Sequence, residues 1–211
     1  MSQPSDPRLL VLHGLRLKGV GQAEDVAAAH DLPVAEATAL LGRLEEDGLV
    51  VHRSGALTGW TLTPAGRVEL ARLLAAEVDG TGARATVGAA YDRFRSLNAG
   101  VLDVCSRWQV RDVAGRPVVN DHTDPAYDER VVAELAHLHR RAEPLCDDLA
   151  GALERYRAYG PRLRTAVAHV EAGEGEWFTK PMMPSYHTVW FELHEDLLAT
   201  LGVERSTEVA S

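Results

Sequence analysis

Ala23-Glu-Asp-Val-Ala-Ala-Ala-His30, Asp31-Leu-Pro33, Val34-Ala-Glu-Ala-Thr-Ala-Leu-Leu-Gly-Arg-Leu-Glu-Glu-Asp-Gly48, Leu49-Val-Val-His-Arg53 and Trp60-Thr-Leu-Thr63 succeed one another in one stretch, and their order decides the fold. The first segment has the alanine-rich composition of a short helix. Asp31-Leu-Pro33 breaks it, and Pro33 suits the first position of the next helix, where a missing N–H costs nothing. From Val34 the apolar residues Val34, Ala37, Leu40, Leu41 and Leu44 recur at helical spacing, and Gly48 supplies a left-handed cap. Leu49–Arg53 and Trp60–Thr63 are rich in strand-favouring residues, with the turn formers Ser54-Gly55 and Gly59 between them, so the pair reads as a hairpin. Thr63 as N-cap and Pro64 behind it open a further helix. Upstream, a helix beginning near Asp6-Pro7 carries Leu9, Leu10, Leu12, Leu15 and Leu17 as its apolar surface.

Leu41-Gly-Arg-Leu-Glu-Glu-Asp-Gly-Leu-Val-Val-His-Arg53 followed by Gly59-Trp-Thr-Leu-Thr-Pro-Ala-Gly-Arg67 resembles the winged-helix transcription factors of the MarR type. In that family a leucine-rich recognition helix runs into an E-x-x-G-L-V turn, and the wing ends in L-T-x-x-G-R. The resemblance covers residues 1–75. It implies a mainly α fold with an N-terminal winged helix-turn-helix and a two-stranded wing, DNA as partner, and a homodimer. The side chains of Val34–Gly48 expected to point outward are Ala35, Glu36, Thr38, Ala39, Gly42 and Arg43. Base edges are read mostly by Arg, Lys, Asn and Gln, and this face offers one arginine and one carboxylate. Phosphate contacts are expected from Lys18, Arg43, His52 and Arg53, with the wing at His52–Ser54, because backbone contacts need charge and not sequence information. Residues 1–78 carry seven Lys and Arg against ten Asp and Glu, net −3. Any DNA contact therefore rests on a local patch. A winged helix serving as a protein-interaction adaptor, without DNA, is the rival reading.

The chain of 211 residues suits two small domains, expected at 1–78 and 79–211, with Asp79-Gly-Thr-Gly82 as the linker. With 45% hydrophobic and 25% charged residues it has an ordinary globular composition, and a net charge of −9 disfavours a membrane surface or an extended nucleic-acid groove as the partner of the whole molecule. Its sequence lacks an apolar stretch of about 20 residues, and Met-Ser-Gln-Pro-Ser-Asp-Pro7 has neither the basic region nor the apolar core of a signal peptide. Cys105 and Cys146 stand in separate helical patterns outside any CxxC context, which reads as two buried free thiols. The expectation is a cytoplasmic protein.

Residues 83–203 read as nearly all helix, a bundle of four or five members. Val87, Tyr91, Phe94, Val101, Cys105 and Trp108 define a long amphipathic helix reaching about Arg111, followed by a polar loop from Asp112 to Pro125. Val131 to Tyr156 reads as one helix interrupted, or two divided, at Pro144. Leu163–Val170 and Tyr186–Leu201 complete the set.

Two constellations here bear chemistry. In Asn120-Asp-His-Thr-Asp-Pro125, entered from Trp108-Gln-Val-Arg111, the polar side chains form turns and caps, or Asp121, His122 and Asp124 line the mouth of a ligand or metal site. In Trp177 to His194, aromatic residues concentrate, and His187, Trp190, Phe191 and His194 share one helix face. Aromatic walls with a few polar groups suit a small-molecule pocket, for which Tyr186, His187, Trp190 and His194, with Trp108 and Arg111 opposite them, are the candidates. His187 and His194 stand about 10 Å apart along a helix, too far for one metal ion. A metal-binding effector domain, in organisation like that of GntR-class regulators and drawing on His122, His137, His139, His187 and His194, is an alternative whose helical ligand motifs are not matched. No cofactor is expected, and an enzyme using His187 or His194 is a minor alternative, since no GxSxG, HExxH, P-loop or dinucleotide fingerprint is present.

Overall fold

The computed structural model describes residues 4–55 and 57–203, and among these the chain is mainly helical. It divides into two compact units. The first holds the described residues up to Ala85 together with Ala152–Arg155 and the described residues from Glu195; the second is Thr86–Gly151 with Tyr156–His194.

In the first unit, α1 (Pro7–Lys18) begins at an N-cap Asp6, whose carboxylate accepts from the Arg8 N–H. Helix α2 (Ala23–Ala29) leads into α3 (Val34–Glu46), with Pro33 in the N-cap place one residue before the helix. Gly48 takes the left-handed conformation expected of it, and β1 (Val50–Arg53) pairs antiparallel with β2 (Gly59–Leu62), Val50 opposite Leu62 and His52 opposite Trp60. Gly21 adds an isolated antiparallel bridge to Trp60. Gly59 permits it: its φ is +152°, and a Cβ there would stand 2.9 Å from the Gly21 carbonyl oxygen. Thr63 caps α4 (Pro64–Thr81) by accepting from the Gly66 N–H. Helix α1 packs on α2, α3, α4 and β2, and Leu9, Leu10, Leu12 and Leu15 join Val26, Ala37, Leu41 and Leu44 in one apolar core, while Leu17 stays only half-buried outside it.

The expected linker Asp79-Gly-Thr-Gly82 is corrected by this structure. Helix α4 continues through Thr81, Gly82 alone turns the chain in the left-handed region, and α5 (Arg84–Gln109) follows at once. Thr81 supports the extension by donating its hydroxyl hydrogen to the Glu77 carbonyl.

In the second unit α5 packs along α6 (Pro125–Ala152). Their facing residues are tied by Arg93–Asp148 at 2.7 Å and Arg107–Glu134 at 2.6 Å. Two expectations need correction here. Helix α6 runs through Pro144 without division. The Arg140 carbonyl, which loses its partner there, belongs to an exposed residue where water can serve it, and buried Leu138, Leu145 and Leu149 hold both halves of the helix to the core. The polar loop after Trp108 contains a hairpin, β3 (Val110–Val113) and β4 (Arg116–Val119), turning at Ala114-Gly115 with positive φ at both residues. That is the turn chemistry of a tight two-residue hairpin. Then come a 3₁₀ turn at Glu154–Tyr156, α7 (Tyr159–Glu171), the single turn α8 (Glu176–Thr179) and α9 (Tyr186–Leu201), whose bounds match the sequence reading. No helix among the described residues is long and apolar enough to cross a membrane.

The first unit is closed by a buried ionic cluster that sequence spacing does not reveal. Arg155, with its side chain fully buried, donates to the Asp196 carboxylate, to Glu77 Oε2 at 2.8 Å and to the Thr200 hydroxyl at 2.5 Å. His13 Nε2 lies 3.1 Å from Asp196 Oδ1, and His13 Nδ1 lies 3.0 Å from His30 Nε2. Burial by itself would raise the pKa of Asp196, but Arg155 and His13 outweigh it and hold the carboxyl well below the usual carboxylate range. A carboxylate whose folded pKa lies below its unfolded value of about 3.9 contributes stability that is complete above that pH and fades as the pH falls below it. Asp196→Ala is therefore expected to lose about 3–5 kcal/mol in urea denaturation at pH 7, the cost of stranding a buried partner. Asp196→Asn should flatten the loss of stability that the native chain shows below about pH 4; an unchanged acid slope would contradict the assignment.

Candidate nucleic-acid interface and ligand cavity

Helix α3 turns Ala37, Leu41 and Leu44 into the core, so its opposite side is fixed as the outer one. Ala35, Glu36, Thr38, Ala39 and Arg43 are exposed and Gly42 is half-buried. Thr38 uses its hydroxyl to donate back to the Val34 carbonyl at 2.8 Å. Lys18 is exposed at the end of α1, and His52, Arg53 and Ser54 are exposed at the end of β1. The His52 ring meets Trp60 edge-on at 5.0 Å, and its backbone N–H donates to Glu45 Oε1 at 3.2 Å.

Charge pairing separates the described arginines of this unit into two groups. Arg8, Arg16, Arg72, Arg84 and Arg155 each hold a carboxylate. Arg43 on α3, Arg53 at the end of β1 and Arg67 in the first turn of α4 are exposed, and no carboxylate among the described residues pairs with them. Among the described residues of this unit, the arginines that remain open to an outside anion thus belong to the α3–hairpin–α4 stretch.

A cavity of about 940 Å³ lies within the second unit, lined by residues of α5, α6, α7 and α8 and the loops beside them. Of the eight candidate ligand residues, Trp108 and His122 line it. The Trp108 ring meets two others, with Phe178 stacked on it at 4.7 Å and His122 tilted against it at 4.4 Å. Gly175 makes room for the edge of the indole, since a Cβ there would stand 2.7 Å from Trp108 Cζ2.

His122 is held from three directions. Its backbone has φ +58°, a left-handed conformation uncommon outside glycine. Its N–H donates to Asn120 Oδ1 at 3.3 Å, and its Nδ1 lies 2.9 Å from Asp128 Oδ2. Buried Asn120 also donates through Nδ2 to Asp128 Oδ1 at 2.8 Å and to the Trp108 carbonyl at 3.1 Å. An ionised carboxylate only accepts, so Asp128 places the ring proton on Nδ1 and leaves Nε2 free to accept. The His122 side chain is 43% exposed, and Nε2 has no partner among the described residues.

The other candidates lie elsewhere. Arg111 and Asp121 pair with each other at 3.3 Å, Arg111 reaches Asp124 at 3.8 Å, and neither Arg111 nor Asp121 lines the cavity. Thr123 donates twice to Asp121, through its hydroxyl and its N–H, and lowers that carboxyl's pKa. Tyr186, Trp190 and His194 are core residues: Trp190 stacks on Phe94 at 4.3 Å and donates Nε1–H to Asn98 at 2.9 Å, and His194 packs on Phe94 at 4.9 Å. Phe191, expected on the same face, is 44% exposed. His187 is half-buried, and burial lowers its basicity. Three His, Cys, Asp or Glu side chains able to share a metal ion are not found together among the described residues. Sequence reasoning missed Asp128, Glu129, Val132, Glu171 and Glu176 as cavity residues. The available signal was the run Asp128-Glu129 followed by Val132-Ala133 one turn later, directly after the His122 loop.

Burial pushes the Cys105 and Cys146 thiols up to about 12, so both stay protonated and inert. A thiol reagent at pH 8 should label neither cysteine in the folded chain and both after unfolding; rapid native labelling would contradict the packing. Gly175→Ala should displace the Trp108 edge, shifting tryptophan emission and costing about 1–3 kcal/mol as an overpacked site. Comparisons with protein-family models, with curated proteins and with solved structures find no match for this chain.

Proposed function

We propose that the chain is a DNA-binding transcriptional regulator whose first unit is a winged helix and whose second unit senses a small molecule. One observation carries the DNA reading: Arg43, Arg53 and Arg67 are exposed without a carboxylate partner among the described residues, while the other five described arginines of that unit are paired. They lie on a helix–helix–hairpin–helix order in which α3 would enter the major groove and the hairpin would serve as the wing. Ala35, Thr38 and Ala39 are small, which allows close approach, and Glu36 repels phosphate. Binding would therefore draw mainly on backbone contacts from Arg43 and Arg53, with Lys18, His52 and Ser54 at the margin. Symmetric dimerisation belongs to the same proposal, because two half-sites double a weak set of phosphate contacts. The hairpin β3–β4 leaves Val110, Val113, Val118 and Val119 exposed, apolar area that a second copy could cover.

The sensing role is supported by the cavity of the second unit. Its volume is that of a small-molecule site, its walls include Trp108, Val132 and Val170, and His122 stands ready to accept a hydrogen bond. Effector and operator would then be coupled by ordinary linkage, a ligand that prefers one conformation shifting the DNA affinity.

Selection from a random-sequence duplex library at low salt, followed by anisotropy titration of the recovered duplex, tests the DNA reading. Arg43→Ala and Arg53→Ala should each weaken binding across all sequences and reduce the slope of log K against log salt by about 1. Failure to enrich or bind any duplex at low salt would overturn it in favour of an adaptor role.

A further inference from the structure

We infer, resting on the reading of the second-unit cavity as a ligand site, that its ligand is an organic cation with an apolar body. Four carboxylates line the cavity: Asp128, Glu129, Glu171 and Glu176. Two of them are already engaged, Asp128 by His122 at 2.9 Å and Glu176 by Lys180 Nζ at 2.8 Å. Among the described residues, Lys180 is the one lysine or arginine on the lining. Glu129 on α6 and Glu171 at the end of α7 have no cationic partner among the described residues. The cavity thus carries uncompensated negative charge contributed from two different helices.

The remaining surface fits the other half of such a ligand. The Trp108 edge, Val132, Ala133 and Val170 are apolar, and the imidazole of His122, with one side packed on Trp108, supplies an aromatic surface that a flat or greasy body can cover. An anion would face Glu129 and Glu171 without compensation, whereas a monocation neutralises charge that the fold leaves open. Charge thus sets the preference for sign, and the apolar wall supplies the affinity.

Tetraphenylphosphonium and tetraphenylborate, which share a shape and differ in the sign of their charge, test this by isothermal titration of the full-length chain free of DNA. The phosphonium should bind more tightly than the borate by about tenfold or more, the effect expected of unit charges a few ångströms apart in a solvent-connected site. Glu129→Gln together with Glu171→Gln should abolish that preference while leaving the melting temperature unchanged, since both residues are exposed and Gln is as good a helix former as Glu. If the borate binds as tightly as the phosphonium, or the double variant keeps the preference, the charge inference falls while the cavity reading stands. If neither ion binds, both fall.

Discussion

The Asp196 carboxylate, fully buried between Arg155 and His13, is the interaction on which the first unit depends. It joins three parts of the chain: α1, the short Ala152–Arg155 segment, and the last turns of α9. Glu77 of α4 completes the set through Arg155. An ionised group in such surroundings is tolerated only when its charge and its lone pairs are all met. Here Arg155 meets two carboxylates and a hydroxyl, and His13 relays between Asp196 and His30. The compact first unit therefore draws on later segments as well as on the helix–hairpin portion. A fragment ending at Ala85 would leave Glu77 and His13 without the partners that justify their burial.

This is also where reading the sequence reached its limit. Local signals were reliable because each has a local cause. Asp6 and Thr63 are N-caps, Gly48 takes the left-handed cap, and α9 begins and ends where the apolar pattern does. Arg155 and Asp196 carry no such signal, since their pairing spans 41 residues and depends on tertiary folding. The hairpin at Ala114-Gly115 was hidden by its polar and charged neighbours, although Val110, Val113, Val118 and Val119 are strand formers. Pro144 misled in the opposite sense, because burial on both sides of it outweighs one lost hydrogen bond.

In the second unit, Trp108 and His122 are the two candidate ligand residues that line the cavity. Trp108 and His122 meet because α5 ends where the hairpin returns the chain to it, and Asn120 locks that return. Tyr186 and Trp190 of α9 instead fill the core, as aromatic residues at helical spacing commonly do. What the sequence could not supply is which carboxylates are already paired. That accounting, Asp128 and Glu176 engaged against Glu129 and Glu171 open, gives the cavity its charge. The same accounting applied to arginines distinguishes Arg43, Arg53 and Arg67 in the first unit.

The proposed use of α3 and the wing is tested most directly by hydrogen–deuterium exchange of the full-length chain with and without a selected duplex. The account predicts that protection on adding DNA is concentrated in 34–46 and 52–55. Protection confined to other segments, or no change under conditions where the duplex is bound, would contradict it.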